Sequence, residues 1–303
     1  MRVSTNTIYE RSITSVQQGQ TDLLKTQQQL STGRRMLTPA DDPVASARAL
    51  ELTQSLSITK QYVANANPAR SSLGMEESVL SSIGEVIHNV RVSAVQAGNP
   101  TLSKADRLSL ATEVRSRYQE LLGLANSTDS TGDYMFSGYQ GRVKPFTQTT
   151  GAAVYAGDQG LRLIQISPSR RVEVSDSGAT LFKPGTTQDM FKVIDDFAGA
   201  LETLPPGAAL DTAISTALDG LTKSMDNVLT VRAAVGAHLN EIDSAQNGGE
   251  ESILQFQKSL SGLQDLDYAK AISDLTQQQM TLEAAQKSFL KVTGLSLFNY
   301  INP

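Results

Sequence analysis

Few residues of this 303-residue chain could do chemistry: the neighbouring carboxylates Asp41 and Asp42, two histidines, scattered serines and the run Gly157-Asp-Gln-Gly160. A carboxylate pair can divide acid and base roles between its members. Asp41-Asp42, however, stands directly before Pro43, which reads as a helix start. There Asp accepts hydrogen bonds from first-turn amides, and proline has no amide to leave unpaired. His88 and His238 lie far apart, each within a helical stripe and without clustered partner ligands, so no metal site is expected. No Gly-x-Ser-x-Gly elbow or base partner accompanies the serines. The glycine run has neither Walker nor dinucleotide spacing and reads as a turn. With no Cys in the chain, disulfide staples and thiolate metal sites are excluded. The sequence therefore predicts neither an active site nor a cofactor.

The stronger signal lies in the elements. Tyr9, Val16, Leu23 and Leu30 repeat every seven residues near the start, and Tyr268, Leu275, Leu282 and Phe289 do so near the end. That period keeps one seam of a helix turned toward a partner helix. A second seam position follows on each side, Ile13 with Gln20 and Gln27, and Ile272 with Gln279 and Gln286. Two such helices predict that the chain ends pair and that the rest is inserted between them. Seam glutamines weaken such a pair while specifying register. The ends are therefore expected to be marginal alone and to order fully against neighbouring subunits.

The first helix is predicted over 7–32, ended by Gly33 in the left-handed C′ position with Arg34 and Arg35 at its negative end. A second starts at Asp42-Pro43 and runs toward Asn67-Pro68, where proline is expected to kink or end it. Val79, Ile83, Val86, Val90 and Ala94 form one amphipathic stripe. Ala111, Val114, Tyr118, Leu121 and Ala125 form another, behind a capping box at Ser103 and Asp106. These two helices are expected to pair antiparallel. From Asn126 to about Gly185 the texture turns to Gly, Thr, Val and aromatic residues. Short strands are predicted at Tyr134-Met135-Phe136 and around Leu161, Leu163, Val172, Val174 and Leu181. Helix resumes after Asp189 and is cut at Pro205-Pro206-Gly207. It resumes again from Leu210 to Ala245, with Val228, Val231, Val235, Leu239 and Ile242 on one face. A turn at Asn247-Gly-Gly249 then precedes one or two helices over 251–297. The fold class is mainly α with a small inserted β-rich domain, its terminal helices paired as a coiled coil around a central helical bundle.

Composition excludes several function classes. A net charge of −5 with scattered basic residues offers no stripe for nucleic acid. No apolar run approaches the ~20 residues of a membrane span. Met1-Arg2-Val3-Ser4-Thr5-Asn6-Thr7 is polar and lacks the apolar core of a cleavable signal peptide, leaving secretion by another route.

The stretch from Leu30 through Gly33-Arg34-Arg35 and Asp41-Asp42-Pro43-Val44-Ala45 resembles the N-terminal motif of the flagellin superfamily. Asp265-Leu-Asp267-Tyr268-Ala269, followed by Leu275, Gln279 and Leu282, resembles its C-terminal one. Within the superfamily the details resemble the hook–filament junction branch. Its members begin much like Met1-Arg2-Val3-Ser4 and carry Asp-Asp-Pro-Val/Ile-Ala where flagellins usually have Asp-Asp-Ala-Ala-Gly. They also share the central motif seen here as Ala125 to Asp129, Gly132, Tyr134, Phe136 and Ser137-Gly138-Tyr139. Val228-Leu-Thr-Val-Arg232-Ala-x-x-Gly236 and Ser296-Leu297-Phe298 fit the same branch.

That resemblance implies a structural protein outside the bacterial cell, exported unfolded through the flagellar type III channel. A cytoplasmic export chaperone would bind its C-terminal region first. Its other partners would be the hook-side junction protein, flagellin and further copies of itself in a ring, with neither nucleic acid nor membrane among them. Residues 1–45 and 255–303 would form the inner coiled-coil domain, 46–133 and 184–254 the central helical domain, and 134–183 the outward β-rich domain. Tyr9, Ile13, Val16, Leu23, Leu30, Tyr268, Ile272, Leu275, Leu282 and Phe289 would carry the assembly interface. Gly33, Asp41, Asp42 and Pro43 would form the turn between layers. The rival readings are a flagellin or minor filament subunit, which shares the termini, and a secreted helical binding module with a receptor patch in the β region.

Overall fold

Capping residues and glycines set most element boundaries in the computed structural model, which describes residues 5–149 and 152–294. The order is α1 (Thr5–Thr32), α2 (Pro43–Ala97), α3 (Lys104–Ala125), β1 (Phe146–Thr149), β2 (Ala152–Tyr155), β3 (Leu163–Ser167), β4 (Arg170–Glu173), α4 (Gly178–Phe182), α5 (Met190–Thr203), α6 (Ala208–Gln264) and α7 (Tyr268–Gly294). The fold is thus mainly helical, with two small antiparallel hairpins inserted between the helices. Met1 to Ser4 and Ser296 to Phe298, both cited for the resemblance, lie outside the described residues, as does the predicted helical stretch beyond Gly294.

The chain divides into two units. One comprises Met1–Ile58 and Ser252–Pro303, the other Thr59–Glu251; α2 and α6 contribute to both. The second unit holds the apolar core. The stripe on α2 buries Ile83, Val86, Val90 and Ala94, and that on α3 buries Ala111, Val114, Tyr118, Leu121 and Ala125. Ser103 and Asp106 cap each other's backbone amides at the start of α3, the reciprocal box that their spacing predicts. Asp189 caps α5 through the amides of Phe191 and Lys192. The helix running closest to α3 is α5, not α2 as expected. Arg115 of α3 reaches Asp195 and, at 3.1 Å, Glu202 of α5, while Tyr118 meets Phe191 edge-on at 5.7 Å.

The β region joins this core through aromatic rings. Phe146 of β1 lies 4.9 Å from Phe182, 5.1 Å from Phe191 and 5.1 Å from Tyr155, centroid to centroid. Asn126, just past α3, pins β1 by accepting from Phe146 N at 3.0 Å and donating to Phe146 O at 3.0 Å. β1 pairs with β2 from Phe146 opposite Tyr155 to Thr149 opposite Ala152. β3 pairs with β4, with a bulge between Gln165 and Ser167.

Several expectations are corrected. Pro68 lies inside α2, which continues without interruption. The proline removes one backbone donor, but Ala66, Ala69 and Leu73 around it are fully packed, and that burial outweighs the lost bond. No turn forms at Asn247-Gly-Gly249, because α6 runs through it. A Cβ on Gly249 would come within 2.6 Å of Val63 Cγ2, so this glycine permits a close approach of α2 rather than a bend. Tyr134-Met135-Phe136 is not a strand; only Tyr134 makes a single bridge, with Thr128, and Met135 and Phe136 turn into the core. Leu181 belongs to the short helix α4, capped by Ser177. Strands β1 and β2 carried too little periodic signal to be predicted.

Candidate assembly surface at the chain ends

In the first unit α1 and α7 run antiparallel. Tyr9 meets Phe289 with ring centroids 5.3 Å apart, Gly19 faces Leu282, and Gly33 faces Tyr268. Val16, Leu23 and Leu30 of α1 and Leu275, Leu282 and Phe289 of α7 are half-buried, and so is Ile13. Tyr9 and Tyr268, at the two ends of the seam, are 45% and 53% exposed.

The second seam position differs from the expectation. Gln20, Gln27, Gln279 and Gln286 are exposed, and Ile272 is 55% exposed. The more covered positions fall one residue earlier: Thr26 and Ala271 are buried, and Gly19, Gln278 and Ala285 are half-buried. Heptad spacing alone allows either choice, since a second seam three or four residues after the first lies near the same face. Small residues decide it. A Cβ on Gly19 would already be at 3.4 Å from Leu282 Cδ1, so the helices come close where side chains are smallest.

The turn after α1 is held by specific bonds. Gly33 has φ +67, and a Cβ there would lie 2.8 Å from the Tyr268 hydroxyl. Gly33 O accepts from Leu266 N at 3.0 Å, and Arg35 N donates to Gln264 O at 2.8 Å. The Arg35 guanidinium donates to Leu263 O at 3.0 Å, placing a cation on the orphan carbonyls that end α6. Asp41 Oδ2 accepts from Thr38 N at 2.8 Å and Leu37 N at 3.0 Å, and its Oδ1 from Lys25 Nζ at 2.6 Å. The Lys25 ammonium and these amides hold the Asp41 carboxyl well below the usual carboxylate range. Asp42 accepts from Ala45 N at 3.0 Å and starts α2 ahead of Pro43. Asp267 does the same for α7 through Lys270 N at 3.1 Å. Both aspartates of the tempting pair thus serve backbone amides. His88 and His238 are not brought together with metal-ligating partners, and no cluster of three His, Cys, Asp or Glu side chains able to hold a metal occurs among the described residues.

Gly33→Ala forces a side chain into a left-handed backbone and against Tyr268. We expect it to cost about 1–2 kcal/mol locally. Amide exchange at Arg35 and Leu266 should then quicken about tenfold; unchanged exchange would refute this account of the turn.

The first unit buries little apolar surface of its own: among its described residues only Thr26, Ala49 and Ala271 are fully buried. Leu24, Val44, Leu50, Leu254, Ile272 and Met280 are all exposed. Sequence reasoning singled out Ile272 with the heptad residues but missed the other members of this outer set, because isolated apolar residues on a polar helix carry no period. No helix among the described residues is long and apolar enough to cross a membrane.

Residues 3–141 match the bacterial flagellin N-terminal helical region. The first helices of the chain thus share the N-terminal helical region of bacterial flagellin. The flagellar hook-associated protein 3 of Salmonella typhimurium is 34% identical, over 98% of this chain and 99% of that protein. The chain belongs to the flagellar hook-associated protein 3 family, and is thereby an extracellular protein of the bacterial flagellum. Two solved structures share the fold. One, described as a flagellar hook-associated protein of Vibrio parahaemolyticus, superposes with a TM-score of 0.69 at 23% identity, over 74% of this chain and all of that one. The other, a flagellar junction protein of Legionella pneumophila, gives 0.60 at 19% identity, over 72% of this chain and all of that one.

Proposed function

We propose that this chain is a structural junction protein, joining the hook-side junction protein to the flagellin filament as a ring of its own copies. The observation that carries this reading is the terminal unit, which exposes Leu24, Val44, Leu50, Leu254, Ile272 and Met280 while lacking large buried side chains of its own. Large apolar side chains left in water are stabilised by being covered, and subunit packing is the means that family membership supports. Residues 1–45 and 255–303 form the inner assembly domain, and Tyr9, Ile13, Val16, Leu23, Leu30, Tyr268, Ile272, Leu275, Leu282 and Phe289 serve it in two ways. The half-buried members hold α1 to α7; Tyr9, Tyr268 and Ile272 face the neighbours. Gly33, Asp41, Asp42 and Pro43 fix the turn between the inner layer and the central helical domain of 46–133 and 184–254. The β-rich segment 134–183 lies outward. The role is mechanical, and no catalytic step is assigned to any residue. Export through the flagellar type III channel follows a chaperone's grip on the C-terminal region.

Self-association separates this reading from that of a filament subunit. Purified chain mixed with filament seeds should remain monomeric, because its ends need different partners above and below. Elongation of the seeds by this chain alone would make it a filament subunit instead.

A further inference from the structure

Glu76 is a buried acid that makes no salt bridge among the described residues. It sits midway along α2, 2% exposed, with buried Leu73 and Leu80 on the same helix. Its Oε1 accepts from Asp176 N at 3.1 Å. The other fully buried acid, Asp189, is different: three amides, of Gly185, Phe191 and Lys192, solvate it at a helix start. Glu76 has no ion pair, since its neighbour Glu77 takes Arg232 of α6 and Arg162, which precedes β3, pairs with Asp129. The other titratable or charged groups near Glu76 and Asp176 are Arg162, Glu173 of β4 and His238 of α6. Two carboxyls brought together in such a place cannot both ionise at ordinary cost.

The bend from Val174 to Gly178 depends on this spot. Ser72 of α2 donates to Val174 O at 2.9 Å, four residues along the helix from the Glu76 contact. Val174 N donates to Arg162 O at 2.9 Å, Arg162 N to Ser175 Oγ at 3.2 Å and Gly178 N to Phe136 O at 2.9 Å. The bend therefore links the β3–β4 hairpin to α2 and to the aromatic core.

We propose that Glu76 and Asp176 share one proton as a carboxylic acid–carboxylate pair, and that this pair is a pH-sensitive latch fastening the β3–β4 hairpin to α2. Loss of the proton to water leaves two facing carboxylates, and the bend opens to hydrate them. Burial, then the Asp176 charge, pushes the Glu76 carboxyl up to about 8, and burial likewise raises Asp176. The sign follows from linkage. Between the ordinary glutamate value and about 8 the closed form keeps a proton that the open form has released. Closure is thus favoured in acid, weakens by about tenfold per pH unit as pH rises through that window, and levels off above it.

Two measurements test the latch. Infrared spectra at pH 7 should contain a carboxylic acid C=O band that disappears as pH is raised past 8 and is missing in Glu76→Gln. Trypsin cleavage after the exposed Arg170 and Arg171 should accelerate about tenfold from pH 7 to pH 8.5 relative to Glu76→Gln, whose amide cannot ionise. Should Glu76→Gln not fold, Asp176→Asn serves in its place: without the facing carboxylate the acid band must titrate at lower pH. A spectrum without the band, or cleavage that follows pH equally in native and variant chains, would overturn the proposal.

Discussion

Leu282→Asp should leave cells with hooks and no filaments. The Leu282 side chain closes on Gly19 across the α1–α7 seam, and among the described residues α7 is the helix that α1 packs against most extensively. Losing the apolar contact removes about 2 kcal/mol, and a carboxylate placed against apolar neighbours adds a desolvation penalty. The pair is marginal to begin with, since few of its residues are fully buried. The purified variant should lose helical circular dichroism from its ends while the second unit melts as before. Gln279→Asp is the control, because Gln279 is exposed and its replacement should leave the α1–α7 pair intact. Normal filaments from the Leu282→Asp strain would mean that the seam does not support assembly.

Phe182→Ala should have the largest effect on the second unit. Phe182 is fully buried, meeting Phe136 at 5.8 Å, Phe146 at 4.9 Å and Phe191 at 5.2 Å. These rings come from a loop, a strand and a helix, so one truncation opens a cavity where all three elements join. The expected cost is about 3–5 kcal/mol, with ring–ring contacts contributing part of it. Urea unfolding followed by near-ultraviolet circular dichroism reads it directly. A cost below about 1 kcal/mol would mean that the site collapses on itself and that the aromatic cluster is not the joint between helices and β region.

These two sites differ in how legible they were. The α1–α7 seam could be read from Tyr9, Val16, Leu23 and Leu30 against Tyr268, Leu275, Leu282 and Phe289, because a seven-residue repeat survives without any knowledge of contacts. Its second row could not, since choosing Gly19 over Gln20 depends on how closely α7 approaches. The same limit explains Gly249. Glycine signals either a turn or a close approach, and only the position of Val63 distinguishes them. Caps were read well at Asp42 and Ser103, where side chain and amide lie within three residues of each other. The β region was read poorly. Phe146 and Tyr155 belong to four-residue strands held by Asn126 and by rings distant in sequence, and so short a strand has no period of its own. Motif residues Phe136 and Gly138 were recognised by resemblance, whereas their physical reasons appear only in three dimensions. Phe136 fills the aromatic joint, and Gly138, at φ +72, sits against Asp158.

If this chain is the junction, the filament cannot start without it. Electron microscopy of cells lacking its gene, with flagellin assayed in the culture medium, tests that most directly. Hooks without filaments and monomeric flagellin released into the medium are the expected result. Filaments of normal length and number on the same cells would contradict it.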